Sequence, residues 1–422
     1  LIHIIGGGLA GSEITYQVAK AGYNVILHEM RPEVETGVHK TDKLAELVCS
    51  NSLKSKDTKN ASGLLKKELE RIGSFVLEVA KRNAIPGGKA LVVDREAFSN
   101  EITQILKSMP NVKIVREEVT CIPSENSGDI WVVASGPATS SKLYAWISNE
   151  FGKSAHFFDA VAPIVEANTI DTSKAFFANR YEGGTDYLNC PLNREEYIHF
   201  REALIGAEVL PIKGFDKKLL FSRCQPIEEI AKSGFDSMRF GPLRPVGLTR
   251  SDGKKFYAVV QLRRDNSIGT LYNIVGFQTR LKWPEQDRVF RMIPALKNVK
   301  IVRYGVMHAN VYIEPYKVTD EFFRAKNRKN LFFAGQITGV EGYVESIASG
   351  LYVAINILRV LNGKMPVTFP RKSMIGALMD YVARTPDLKP MYANFGLIDK
   401  NNVANVIGVK EMLSLQGVKN EN

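Results

Sequence analysis

An α/β fold, built on a parallel sheet and interrupted by an α+β insertion, is what three features of the sequence predict. An apolar strand, a glycine-rich turn and a helix open the chain (IHIIGGGLAGSEITYQVAKAG). The same strand–glycine–helix texture returns near the other end (NLFFAGQITGVEGYVESIASG). Between them, from about residue 186, the texture changes to short segments rich in polar and aromatic side chains. The expected organisation is a first sheet domain over 1–185, an insertion over 186–298, and a return to the first domain with a C-terminal tail over 299–422.

Taken in order, IHII is an apolar strand, and Ile14, Val18 and Ala19 give the next segment helical spacing. Gly22 closes that helix, and NVILHE reads as the second strand, completing one βαβ unit. Residues 62–83 form an amphipathic helix broken at Gly73. KALVVDREAFSNEITQIL is a strand entering a helix, with Asp94 as its N-cap. NVKIVREEVTCI and DIWVVASG are short strands, and Ser140–Ser141 starts a further helix. Residues 155–165 are expected to be extended, and the segment after 366 helical to loop-like.

The 422 residues are 45% hydrophobic and 24% charged, an ordinary globular balance. No apolar run of bilayer-spanning length is expected. The opening LIHIIG lacks a basic leader, so no secretory signal is expected either. Cys49, Cys121, Cys190 and Cys224 are widely spaced and form no metal-ligand cluster, which argues against structural zinc. Two disulfides are possible by count, but a reducing cytoplasmic setting suits so few cysteines better. Residues 201–300 carry 19 Lys and Arg against 10 Asp and Glu. That block suggests a polyanionic partner, either nucleic acid or a phosphorylated cofactor, although a solvated basic surface has the same composition.

Gly6, Gly8 and Gly11 have G-x-G-x-x-G spacing in the required context, after a strand and at the start of a helix. Gly6 allows the tight turn, Gly8 the approach of a pyrophosphate, and Gly11 close helix–strand packing. The helix-start N–H groups then face the phosphates. Glu29 ends the second strand, where an acid hydrogen-bonds a ribose hydroxyl. Gly6–Gly11, including Gly7, Leu9 and Ala10, together with Glu29 and Arg31, are the expected dinucleotide contacts. A second glycine turn after Ala334 and Gly335 suits an extended FAD held at both ends of the chain, and the fold expected is a Rossmann-like FAD-binding domain with its insertion.

GGGLAGSE, HEMRP, HKTDKLAELVCSNSLKS, GLLKKEL, ALVVDREAFS, ASGPATS, GFQTRLKWPEQ, RYGVMHAN and FFAGQITGVEGYVESIASG together resemble the folate- and FAD-dependent tRNA (uracil-5-)-methyltransferase family. The resemblance runs from residue 4 to 350. The family is related to a larger flavoprotein that modifies wobble uridines, and this chain looks too short for that relative. It implies that 5,10-methylenetetrahydrofolate gives a methylene group to C5 of a uridine in the tRNA T-loop. Reduced FAD supplies the electrons that make it a methyl, and NADH or NADPH re-reduces the flavin. No membrane and no obligate protein partner are implied.

This chemistry needs a nucleophile, because uracil C5 becomes reactive only after a thiolate adds to C6. A free thiol titrates near 8.5, so the sulfur needs a cationic or polar setting. The resemblance makes Cys224, beside Arg223 in the basic block, that nucleophile. It makes Cys49 the second active-site cysteine, to take the C5 proton or help handle the one-carbon unit; the sequence does not choose between these. His308 is carried over as the residue that stacks on the folate pteridine. Gln336, Gly342, Tyr343 and Ser346, with Glu345, fall where the family's second FAD-contacting loop sits. Arg223, Arg239, Arg244, Arg263 and Arg264 are candidate RNA contacts, the last four to phosphates. Cys121 reads as core or strand end, and His39 has no assigned role. Ribosomal RNA as substrate, a small-molecule FAD oxidoreductase and a non-enzymatic flavin-bearing RNA-binding protein remain as alternatives.

Overall fold

The computed structural model describes residues 1–124, 128–152, 155–181, 183–211, 225–249, 253 and 255–398. The N-terminal part contains β1 (Ile2–Ile5), α1 (Leu9–Lys20), β2 (Val25–Glu29), β3 (Ser52–Ser55), α2 (Ala61–Ile72), α3 (Phe75–Arg82), β4 (Ala84–Ile85) and β5 (Ala90–Val93). It continues through α4 (Arg95–Ser108), β6 (Val112–Arg116), β7 (Ile130–Val133), α5 (Ser141–Phe151), β8 (Ala155–Ala160) and β9 (Ile164–Glu166). The middle holds β10 (Phe176–Phe177), β11 (Tyr187–Leu192), α6 (Arg194–Gly206), α7 (Ile227–Ser233), α8 (Ser237–Phe240), β12 (Ala258–Arg264), β13 (Leu271–Ile274), α9 (Trp283–Phe290) and β14 (Ile301–Arg303). Then come β15 (Met307–Tyr312), α10 (Pro315–Val318), β16 (Leu331–Phe333), α11 (Tyr343–Leu361) and α12 (Met374–Arg384).

Five parallel strands in the order β16-β7-β1-β2-β6 make the main sheet. The chain winds outward from β1 in one direction to β2 and β6, and in the other to β7 and β16. The switch point therefore lies between β1 and β7, where α/β sheets hold ligands at the carboxyl ends of their strands. The helices form where the periodicity placed them. Gly73, in the left-handed region at φ +90°, separates α2 from α3, and the Asp94 carboxylate accepts the Glu96 and Ala97 N–H groups at the start of α4. By length and composition α11 could cross a bilayer, contrary to the reading that no run approaches this. It is a core helix: 72% of that apolar stretch is buried, and Gly350 lets it lie against α1, where an added Cβ would come within 2.7 Å of the Ala10 carbonyl oxygen.

A second, antiparallel sheet runs β10-β11-β12-β13-β9-β14. Its strands come from 164–303, a wider span than 186–298, because β9 and β14 pair with each other from either side of the expected insertion. Alternation fixes its two faces. Leu188, Cys190, Val260, Leu262, Tyr272 and Ile274 pack with α6, α7 and α9 in one core. Asn189, Gln261, Arg263 and Asn273 occupy the opposite face and are also buried. Buried polar groups call for hydrogen bonds: Gln261 Nε2 donates to Asn189 Oδ1 at 2.9 Å within the sheet, and Arg263 Nε donates to Asn51 Oδ1 at 3.1 Å, which joins the sheet to the parallel half.

Candidate functional site

Two confluent lobes form one cleft between the sheets. The first, of about 940 Å³, is walled by Gly6–Ala10, His28–Arg31, Ala134–Ala138 and Gly335–Gln336, at the switch point of the parallel sheet. The second, of about 1160 Å³, is walled by Val48–Ser50, Lys54, Arg263, Asn273, Gly276, Gln278 and Gly342–Val344. Val48, Pro137, Gln336, Tyr343 and Ser346 line both.

The glycines of the first lobe differ in what surrounds them. A Cβ on Gly11 would lie 1.9 Å from the Gly6 carbonyl oxygen, and one on Gly6, at φ +103°, would lie 2.5 Å from that of Ala134. A Cβ on Gly8 would meet no protein atom within 4 Å. The protein itself thus requires Gly6 and Gly11, while the bare face of Gly8 opens at the start of α1, where unpaired N–H groups favour an anion. This cradle fits the pyrophosphate of FAD.

Glu29 and Arg31 are both buried at the end of β2. Glu29 Oε1 accepts from Arg31 N (3.0 Å) and Nε (2.9 Å); Oε2 accepts from Gly7 N (3.0 Å) and Arg31 Nη2 (3.1 Å). Burial by itself would raise the carboxyl, but the Arg31 guanidinium and these N–H groups outweigh it and hold it below its usual range. A ribose hydroxyl bound at Glu29 would share oxygens that already accept four hydrogen bonds. His39 lies beside this pair, its Nδ1 2.7 Å from Thr36 Oγ1. Burial, then the Arg31 charge, push it down to about 4, so it is neutral at pH 7.

Cys49 lines the second lobe and is half-buried. Its backbone N–H donates to the Tyr343 hydroxyl at 2.8 Å, and its Sγ is 3.8 Å from the Ala160 carbonyl oxygen. The loop that carries it is clamped by cations. Arg95 donates to the carbonyls of Leu47 and Cys49 and is paired with Asp265 at 2.9 Å. Arg303 Nη2 donates to the carbonyls of Val38 (2.9 Å) and Val48 (2.8 Å). Asn51, fully buried, accepts from Arg263 Nε at 3.1 Å and donates to the carbonyls of Val93 and Arg264 at 2.9 Å each. Arg95 and Arg263 are near enough that a charged Cys49 sulfur would raise both guanidiniums, and Asp265 holds Arg95 well above its ordinary value despite burial. A thiolate at Cys49 would sit in their field.

Gly335, Gln336, Gly342, Tyr343 and Ser346 all reach the cleft. Glu345 is buried behind it and pairs with Lys54 Nζ at 3.0 Å. His308 lies on β15 in register with Asp159 of β8. That strand packs against the turns at Gly136–Ala138 and Gly335–Thr338, two walls of the first lobe. The four described arginines separate. Arg263 is buried in the cleft wall rather than exposed to a phosphate backbone. Arg239 is tied to Asp236 at 2.6 Å and to the Tyr257 carbonyl at 2.9 Å. Arg264 is half-buried, and Arg244 is exposed. Cys224 and Arg223 lie outside the described residues. Cys121 is exposed in an irregular segment after β6, rather than in a core or strand, whereas burial pushes the Cys190 thiol up to about 12. Arg95, Asp265 and Arg303 escape the sequence reading, since only the fold brings them to the Cys49 loop; Asn51 lies in that loop, but nothing local shows that its partner is Arg263.

The family model for glucose inhibited division protein A matches residues 1–365. A methylenetetrahydrofolate–tRNA-(uracil-5-)-methyltransferase, TrmFO, of Fervidobacterium nodosum is 55% identical over 414 residues, covering 98% of this chain and 96% of the relative. Its counterpart in Thermotoga maritima is 56% identical over 402 residues, covering 94% and 92%. The chain belongs to the TrmFO family. The crystal structure of Aquifex aeolicus GidA (form II) superposes with a TM-score of 0.73 at 16% identity, covering all of this chain and 74% of that one, which places this TrmFO-family chain in the GidA fold.

Proposed function

We propose that this chain is a folate- and FAD-dependent tRNA (uracil-5-)-methyltransferase. The observation that carries the reading is the near-full-length identity to TrmFO relatives, together with Cys49 at the junction of the dinucleotide lobe and the insertion's polar face. FAD, when bound, supplies the two electrons that reduce the transferred carbon, and NADH or NADPH restores them.

The chain's own residues do the rest. Gly8 and the start of α1 seat the cofactor phosphates, while Glu29 and Arg31 meet the ribose. Cys224 adds its sulfur electron pair to uracil C6, so that C5 gains the electron density to bond the one-carbon unit. The C5 proton then passes to a base, and the C6–sulfur bond breaks as the pyrimidine double bond re-forms. Cys49 is the proposed proton acceptor, with Arg95 and Arg263 stabilising its thiolate. Cys224 precedes Ile227 by three residues, a chain length of at most ~11 Å. The Ile227 N–H donates at 2.7 Å to the carbonyl of Gln278, which lines the second lobe. His308 is proposed to hold the folate pteridine, a role supported by the placement of β15 against both cleft walls.

The test supplies the purified protein with methylenetetrahydrofolate, NADH and an unmodified tRNA, and maps 5-methyluridine in the product. Its formation in the T-loop is expected. Modification of ribosomal RNA alone, or flavin turnover with no RNA product, would replace this reading with one of the alternatives.

A further inference from the structure

Away from the cleft, Tyr181 lies in the left-handed backbone region at φ +67°, uncommon for a residue with a side chain, and is 58% exposed. Its N–H faces the Gly247 carbonyl at 3.5 Å. Gly247, at φ +84°, has no side chain to displace the ring; a Cβ there would lie 2.7 Å from it. The Arg244 guanidinium stands 5.7 Å from the ring centroid. Arg180 lies beneath, donating to the carbonyls of Arg244 and Val246 and, through Nε, to Gln261 Oε1 at 2.8 Å. Burial, then the neighbouring Arg244 charge, lower Arg180 to about 10. Neither arginine pairs with a carboxylate among the described residues. At the end of α8 Phe240 is 84% exposed, and in the loop that follows and carries Arg244, Val246 is 61% exposed.

Among the described residues, a solvent-facing ring in the left-handed backbone region thus stands beside two arginines that no described carboxylate pairs. It matches a ligand that offers a flat face and a negative charge together, as an unpaired nucleotide does. The position is also tied to the cleft. Gln261 donates to Asn189 on the polar face of the antiparallel sheet, and Arg263, two residues on and about 7 Å along the same face, donates to Asn51 of the Cys49 loop. An RNA held here is therefore indexed to the active-site loop through one rigid sheet.

We propose that Tyr181 and Arg244, supported by Arg180, form a stacking and phosphate platform for an unpaired nucleotide of the substrate RNA outside the reacting uridine. This rests on the tRNA-methylation reading.

The experiment measures tRNA affinity, kcat and KM of the flavin-loaded enzyme for wild type, Tyr181→Ala, Tyr181→Phe, Arg244→Ala and Gly247→Ala. Expected are an affinity loss and KM increase of at least about five-fold in Tyr181→Ala, and a loss in Gly247→Ala as its methyl displaces the ring. Near wild-type values are expected for Tyr181→Phe, with kcat and flavin content unchanged throughout. The binding-versus-salt slope should flatten in Arg244→Ala. Wild-type tRNA affinity and KM in Tyr181→Ala would overturn the platform and leave the face to another class of partner. A loss in Tyr181→Phe equal to that in Tyr181→Ala would also overturn it, since stacking needs only the ring. Wild-type enzyme that makes no 5-methyluridine in tRNA would instead overturn the functional reading on which the platform stands.

Discussion

In the parallel half the cleft is built around local backbone turns, at glycines 6–8, the start of α1, 134–138 and 335–336, with Glu29 and Arg31 at the end of β2 beside them. In the antiparallel half the groups are side chains on alternate positions of separate strands: Arg263 and Asn273 face the cleft from a polar row that Asn189 and Gln261 continue, aligned only by strand register. A backbone cradle needs particular residues next to one another, because tight turns and close approaches are local. A side-chain face needs only the right period, and its members can come from any strand that pairs. The first half consequently carries a recognisable signature, whereas the second carries its chemistry in positions that look like ordinary strand residues.

The largest effects are expected at the cysteines. Replacing Cys224 with Ala should abolish methylation and any covalent RNA adduct while FAD stays bound, and Cys49→Ala should lower turnover by at least ~10³-fold while RNA still binds. Single-turnover assays and adduct gels measure both, and full activity in either variant refutes its role. Folate affinity in His308→Ala tests the stacking role in the same way, with weaker binding expected. Next comes the seam between the halves. Asp265→Asn leaves Arg95 as a buried cation without its counter-charge and should cost about 3–5 kcal/mol of stability in denaturant titrations. If the cost is negligible, Arg95 does not clamp the Cys49 loop as argued.

Two glycine variants sharpen the contrast within the cradle. Gly11→Ala forces a methyl onto the Gly6 carbonyl and should destabilise by roughly 1–3 kcal/mol. Gly8→Ala meets no protein atom, so its melting temperature without flavin should stay close to wild type while flavin content falls. Equal behaviour of the two would mean that the open face of Gly8 is not reserved for a ligand. The smallest effect is at His39. Its folded value of about 4 lies below the ordinary 6.5, so the unfolded chain binds the extra proton first. Stability from this group is complete above pH 6.5 and is lost as the pH falls toward 4. His39→Gln should show a shallower decline of melting temperature across that window; an unchanged slope would show that burial at His39 has no such linkage.

The regular elements were readable where a local rule governs them. Asp94 caps α4, Gly73 splits α2 from α3, and Ser140 caps α5, each because the residue satisfies or breaks the backbone within a few positions. Cys121 was misread because an apolar-looking neighbourhood does not establish pairing. That β9 and β14 pair with each other is likewise invisible in the sequence, because a strand's period says which faces it has, not which strand lies beside it.

Amino-acid order alone determined the glycine cradle, the acid that ends β2 and the family likeness, since these depend on contiguous residues and on what backbone without side chains can do. Tertiary structure alone decided that Arg263 turns inward to hold Asn51, that Arg95 and Asp265 join across the seam, and that Tyr181 stands out beside Arg244. Those outcomes follow from strand register and from the charge each buried group meets, and both are set by residues far apart in the chain.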